Sequence, residues 1–174
     1  MRRTETREHY NYVGACGWPN GETATLDGCG ERQNSKLYGK TIMANITLHP
    51  EGWKAAKGYA NGMVAEGKAI YVGGQIGWNG DQVFESDDFI EQMKQALRNI
   101  VDVVAEAGGK PEDIVRLTWF VTDKKEYLAK QAEVGKAYRE VMGYNFPAMT
   151  MVVVAGLIED RAKIEIEATA VLPS

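Results

Sequence analysis

The chain has 174 residues, 44% apolar and 25% charged, with a formal net charge of −4. These are the proportions of a globular chain with one substantial core. No apolar run approaches the roughly 20 residues that cross a bilayer, and Met1-Arg2-Arg3-Thr4-Glu5 leads into no apolar signal region, so the expected location is cytoplasmic with no membrane partner. The negative excess sits in the body of the chain and no basic stripe interrupts it, which argues against nucleic acid as the principal partner.

Residues 1–45 read as a turn-rich N-terminal extension, and the ordered domain is expected over 46–174. Gly14 to Gly21 and Asp27-Gly28-Cys29-Gly30 are turn-forming pieces without a sustained helical or strand period. The segment reads as a loose arm, or as one that packs on the domain or a neighbouring subunit through Tyr10, Tyr12, Val13 and Trp18. Cys16 and Cys29 read as free thiols in a reducing compartment. A disulfide, or a metal site completed by His9 or His49, is the alternative, but the paired C-x-x-C spacing of zinc sites is missing. No metal and no cofactor are expected. The Asn45-Ile46-Thr47 sequon is coincidental in a chain that is not secreted.

From Ile46 the elements come in order. Ile46-Thr47-Leu48 is a possible first strand, and Tyr59 follows in a loop where its ring and hydroxyl can close over a ligand or lie at a subunit contact. Met63-Val64-Ala65 and Ala69 to Val72, separated by Glu66-Gly67-Lys68, read as a β-hairpin. Gly73-Gly74-Gln75 at the strand end is too short for a phosphate loop and lacks its Lys-Ser/Thr, but two glycines let a ligand approach the main chain. Trp78 lies in the following loop, as a cleft wall or packed on its own domain. Ser86-Asp87-Asp88 caps a helix over Phe89 to Gly108, whose residues Ile90, Met93, Leu97, Ile100, Val104 and Ala107 form one buried face. Ile114 to Val121 is a strand, and Thr122 or Asp123 caps a helix from about Lys124 to Met142.

The chain ends in two strands. Ala148 to Val154 is apolar and β-branched, and Lys163 to Val171 alternates, with Ile164, Ile166, Ala168 and Ala170 on one face and Lys163, Glu165, Glu167 and Thr169 on the other. Glu165 is then a carboxylate on a sheet surface beside a strand carrying Met149 and Met151, or else a surface group paired across strands with a lysine or arginine. The whole order describes an α+β fold, a mixed sheet with two helices on one face, whose other face needs a partner.

Phe146-Pro147-Ala148, the apolar strand after it and Lys163-Ile164-Glu165-Ile166-Glu167-Ala168 resemble the C-terminal signature of the Rid/YjgF family of imine and enamine deaminases. Val72 to Gly77 and Gly58 to Gly62 extend the resemblance over roughly residues 46–173. It implies a chorismate-mutase-like protomer, assembled as a homotrimer with ligand clefts between subunits, which hydrolyses a small-molecule imine or enamine to a carbonyl compound and ammonia. Glu165 matches the family glutamate that handles the attacking water, and Tyr59 its pocket tyrosine. The implied lining is Tyr59, Gly73, Gly74, Trp78, Gly135, Met149, Thr150 and Met151.

The chain departs from the pattern at Met149, where the deaminases carry an arginine, and at Gly135, where many carry an asparagine. Methionine cannot pair with a substrate carboxylate. The expected substrate therefore lacks that group, or Lys163, Arg116 or Arg161 holds it. A 2-aminomuconate-deaminase-like activity is the most concrete version. The alternatives are a homotrimeric binding or regulatory protein without deaminase activity, and a non-deaminase hydrolase or lyase on the same scaffold. Some relatives are labelled endoribonucleases, a role for which this chain offers no basic stripe.

Overall fold

Apolar alternation in the last strand sets the architecture, because burying one of its faces dictates what lies on either side of it. The structure, a computed structural model, describes residues 45–173. The arm, its aromatic cluster, both cysteines and His9 lie outside the described residues. The strands are β1 (Ile46–Leu48), β2 (Gly62–Val64), β3 (Lys68–Ile76), β4 (Ile114–Val121), β5 (Ala148–Val153) and β6 (Ile164–Leu172). The helices are α1 (Phe89–Glu106), α2 (Lys124–Ala129) and α3 (Gln131–Met142), with a 3-10 turn at Pro111–Asp113.

The main sheet has the order β3-β6-β4-β5, with β4 and β5 parallel and the other pairs antiparallel. Ile164, Ile166, Ala168 and Ala170 are buried, as the alternation predicts, and join Leu117, Trp119 and Val121 of β4 under α1 and α3. In α1, Met93, Leu97, Ile100 and Val104 are wholly buried. Each contributes about 1.5–3 kcal/mol through area removed from water. Asp88 caps this helix by accepting from the backbone of Ile90 at 2.8 Å and Glu91 at 3.2 Å. No helix among the described residues is long and apolar enough to cross a membrane.

Three expectations are corrected. The hairpin does not form: β2 pairs with β1 in a separate two-stranded ribbon, while β3 pairs with β6. Pairing with β6 sets Ile70 opposite Ala170 and Val72 opposite Ala168, so the apolar sides of both strands meet the helices. Burial of that face outweighs the short turn. The second helix is divided at Lys130, whose N–H closes on Tyr127 O at 3.2 Å and whose φ of −107° and ψ of 16° leave the helical range. Its side chain reaches back to Asp88 (2.5 Å) and Glu126 (3.6 Å), tying α2 to the start of α1. Lastly, Glu165 is not beside the strand of Met149 and Met151, because β4 lies between β6 and β5.

Candidate functional site

The odd-numbered residues of β6 face away from the helices, and none is fully buried. Glu165 pairs with Ile76 of β3 and Phe120 of β4, Glu167 with Thr118, and Thr169 with Tyr71 and Arg116. Just before the Ile76–Glu165 pair, opposite Glu167, the register of β3 shifts between Val72 and Gln75, so Gly73 and Gly74 lie within the strand at a bulge and not at its end. The carboxylate of Glu165 occupies the space that a side chain at residue 74 would take. A Cβ added there would lie 1.8 Å from Oε1 and 2.7 Å from Cδ. A Cβ at Gly73 would meet nothing within 4 Å.

Cross-strand pairing on this face falls to the next acid along. Arg116 lies 3.5 Å from Glu167 and donates to Thr118 Oγ1 at 3.3 Å. Among the described residues no hydrogen bond or ion pair is made by the side chain of Glu165. Arg116, Thr118, Glu167, Thr169 and Tyr71 line an open depression of about 210 Å³, and Tyr71 is 81% exposed. The other two cations expected as alternatives, Lys163 and Arg161, are held elsewhere. Lys163 Nζ bonds both oxygens of Glu126 at 3.0 and 3.1 Å, and Arg161 pairs with Asp87 at 2.9 Å while lying 5.3 Å over the Phe84 ring.

A second group of expected residues gathers at β5, which among the described residues has only β4 as its neighbour in the sheet. Ala60 extends the pairing briefly, bridging Ala148 and donating to Pro147 O at 2.9 Å, and so carries half-exposed Tyr59 to this edge. Met149 and Met151 are in register with buried Leu117 and Trp119 and pack against the core, while Thr150 between them is exposed. Gly135 is buried on α3, one turn before Tyr138. The Tyr138 ring stacks on Phe146 at 5.5 Å and lies 6.3 Å from Trp119. Its hydroxyl donates to Asn145 O at 2.7 Å, and burial raises its pKa above the usual tyrosine value. Trp78 joins neither group, since it bridges Phe84 and its ring leans on that phenylalanine at 6.1 Å.

The expected residues thus fall into two sets on opposite sides of the sheet. Glu165 and Gly74 are on the open face, and Met149, Met151 and Gly135 are on the helix side. β6 and β5 are two strand spacings apart, about 10 Å. One protomer therefore does not bring the carboxylate and the thioethers together. Sequence reasoning missed Gln92 and Asn99, amides on α1 that bond the segments leading to both parts of the first set. The available signal was a glutamine beside Met93 on an otherwise apolar stripe.

The family model described as Endoribonuclease L-PSP matches residues 50–172, and the chain belongs to this Rid/YjgF family. It is 36% identical over 129 residues to a RutC family protein of Haemophilus influenzae, covering 74% of this chain and 98% of that one. It is 38% identical over 126 residues to the 2-iminobutanoate/2-iminopropanoate deaminase of Escherichia coli K12, with coverage of 72% and 96%. Among solved structures, the Rid-family protein YyfB of Yersinia pestis superposes with a TM-score of 0.67 at 27% identity, covering 75% of this chain and 100% of that one. Escherichia coli TdcF with bound serine gives 0.53 at 30% identity, with coverage of 68% and 91%.

Proposed function

We propose that this protein hydrolyses an imine or enamine to a carbonyl compound and ammonia, with Glu165 positioning and deprotonating the water. The observation that carries this reading is the half-buried Glu165 carboxylate lying across Gly74 with no partner among the described residues. A carboxylate committed to an ion pair is a poor base. One held in place and left unpaired can take a proton from water. With the substrate nitrogen protonated, water adds to the imine carbon and its proton passes to Glu165. The same proton then moves to the nitrogen of the tetrahedral intermediate, and as the C–N bond breaks and ammonia leaves, Glu165 takes the remaining hydroxyl proton while the C=O bond forms. Relatives named as 2-iminobutanoate/2-iminopropanoate deaminases support this class of reaction.

The assembly that completes the site is a homotrimer, with Glu165 of one protomer facing Met149, Thr150, Met151, Tyr59 and Gly135 of the next. The separation of these residues across one protomer's sheet and the uncovered face around Tyr71 support this arrangement. Gly73 offers main-chain groups to the ligand, and Trp78 stands at the margin. Met149 supplies a thioether where the deaminases of the family place a cation, and Lys163, Arg161 and Arg116 are already engaged with Glu126, Asp87 and Glu167. The substrate is therefore a larger or less polar imine or enamine than 2-iminopropanoate. Ammonia release over a panel of imines and enamines tests this, with faster turnover of the less polar members expected.

The same absence of polar groups at Met149 and Gly135 favours a second reading, a homotrimeric binding protein without turnover. Micromolar binding of panel members with no ammonia released would select it.

A further inference from the structure

Gln92 is 0% exposed, as buried as its neighbour Met93. An amide in that position costs about 1–3 kcal/mol for each group left unmatched, yet both N–H donors and the oxygen find partners, in two distant segments. Nε2 donates to Ser86 O and to Arg161 O, both at 3.0 Å, and Oε1 accepts from the Lys163 backbone N–H at 2.9 Å. Ser86 belongs to the link between β3 and α1, whereas Arg161 and Lys163 lead into β6, with Glu165 two residues beyond.

The end of β3 rests on the same side chain. A Cβ at Gly77 would lie 2.4 Å from Gln92 Cβ and 2.5 Å from its Cγ, so the strand reaches this position only because residue 77 is glycine. Gly77 is three residues past Gly74. Two turns along α1, Asn99 donates to Ile76 O at 3.3 Å and Trp78 O at 2.9 Å, and Gln95 holds its Oδ1 at 2.8 Å. One helix face therefore holds the backbone beyond Gly74, Asn99 by hydrogen bonds and Gln92 by its contact with Gly77, and Gln92 also bonds the backbone ahead of Glu165.

We infer that Gln92 is a positioning residue for Glu165, setting where its carboxylate lies over Gly74 by joining the entry of β6 to the exit of β3. The inference rests on the reading of Glu165 as the water-positioning base. Since no side chain among the described residues bonds the Glu165 carboxylate, its place follows from the backbone on either side, and Gln92 is the group that couples the two. A displacement of about 1 Å at a catalytic group is enough to cost on the order of a hundredfold in rate.

Gln92→Met keeps the volume and removes all three bonds, while Gln92→Glu keeps the shape and an acceptor for the Lys163 N–H. Two readouts apply: kcat and KM for ammonia release from 2-iminopropanoate and from a larger aryl imine generated in situ, and the nuclear Overhauser contact between Gly74 Hα and Glu165 Hγ. Gln92→Met is expected to lower kcat by about tenfold or more with KM within about twofold, and to weaken the contact. Gln92→Glu is expected to recover part of both. A folded Gln92→Met protein with unchanged kcat and an unchanged contact overturns the inference. If that variant does not fold, the same unchanged pair of readings in Gln92→Glu overturns it. If the unsubstituted protein releases no ammonia, the reading of Glu165 as a base fails, and the Overhauser contact alone decides whether Gln92 positions it.

Discussion

The carboxylate of Glu165 and the missing side chain of Gly74 occupy one another's space across the β3–β6 pair, with Oε1 only 1.8 Å from where a Cβ at residue 74 would stand. The obstacle is the far end of a flexible side chain, so Gly74→Ala should fold and push the carboxylate aside. The expected result is a loss of activity of about tenfold or more, with little change in melting temperature. Gly73→Ala, whose Cβ meets open space, should leave the melting temperature unchanged. A Gly74→Ala enzyme of full activity would show that the carboxylate's place over the glycine is immaterial.

Asn145 joins the end of α3 to the start of β4, donating to Pro111 O at 2.7 Å and Ile114 O at 2.9 Å while its own carbonyl accepts from Tyr138. Tyr138→Phe removes one hydrogen bond and should cost about 1 kcal/mol. Asn145→Ala strands two carbonyls and should cost more, about 2–3 kcal/mol. Urea titration of the two variants checks the order.

Stability should depend on acid through Asp88. The hydrogen bond from Lys130 is the main reason its pKa lies below the ordinary 3.8, opposed by burial and aided by the backbone N–H groups of Glu91 and Ile90. A carboxyl with a depressed folded pKa stabilises above its unfolded value and loses that contribution as pH falls through the folded one. Both side chains are partly exposed, so solvent keeps the effect modest. Asp88→Asn keeps an N-cap oxygen and removes the charge. Its melting temperature should fall below that of the unsubstituted protein at pH 6, with the gap closing below about pH 3.8. A gap constant with pH would assign the effect to capping alone.

Met149→Arg should raise turnover of 2-iminopropanoate, because a guanidinium supplies the bidentate carboxylate contact that a thioether lacks. The half-buried position at an edge strand lets a long side chain carry its charge to water between turnovers. Steady-state kinetics on that substrate and on a carboxylate-free imine check it, and the ratio of kcat/KM should move toward the former.

The fold was legible wherever one face of an element is buried and the other is not. Alternation in β6 and the three-and-four spacing in α1 identify their own buried residues, and Asp88 and Asp123 are both visible as caps. The pairing of β3 was not legible. Glu66-Gly67-Lys68 has the composition of a turn, and only the distant β6 reveals that Ile70 and Val72 belong over the same helix. Nor was the division at Lys130, which depends on Asp88, 42 residues away. Within the site, Glu165 and Gly74 were both visible as residues, but their contact depends on a bulge that no local pattern announces. Glu167, one position of the alternation further on, looks equivalent in sequence but is reached by Arg116, whereas Glu165 lies over Gly74.

The most direct test compares ammonia release by the unsubstituted protein and by Glu165→Gln on the imine that is turned over fastest. Glutamine preserves shape and removes the base, so kcat should fall by about a hundredfold or more while the fold and melting temperature persist. Undiminished turnover in Glu165→Gln would contradict the account.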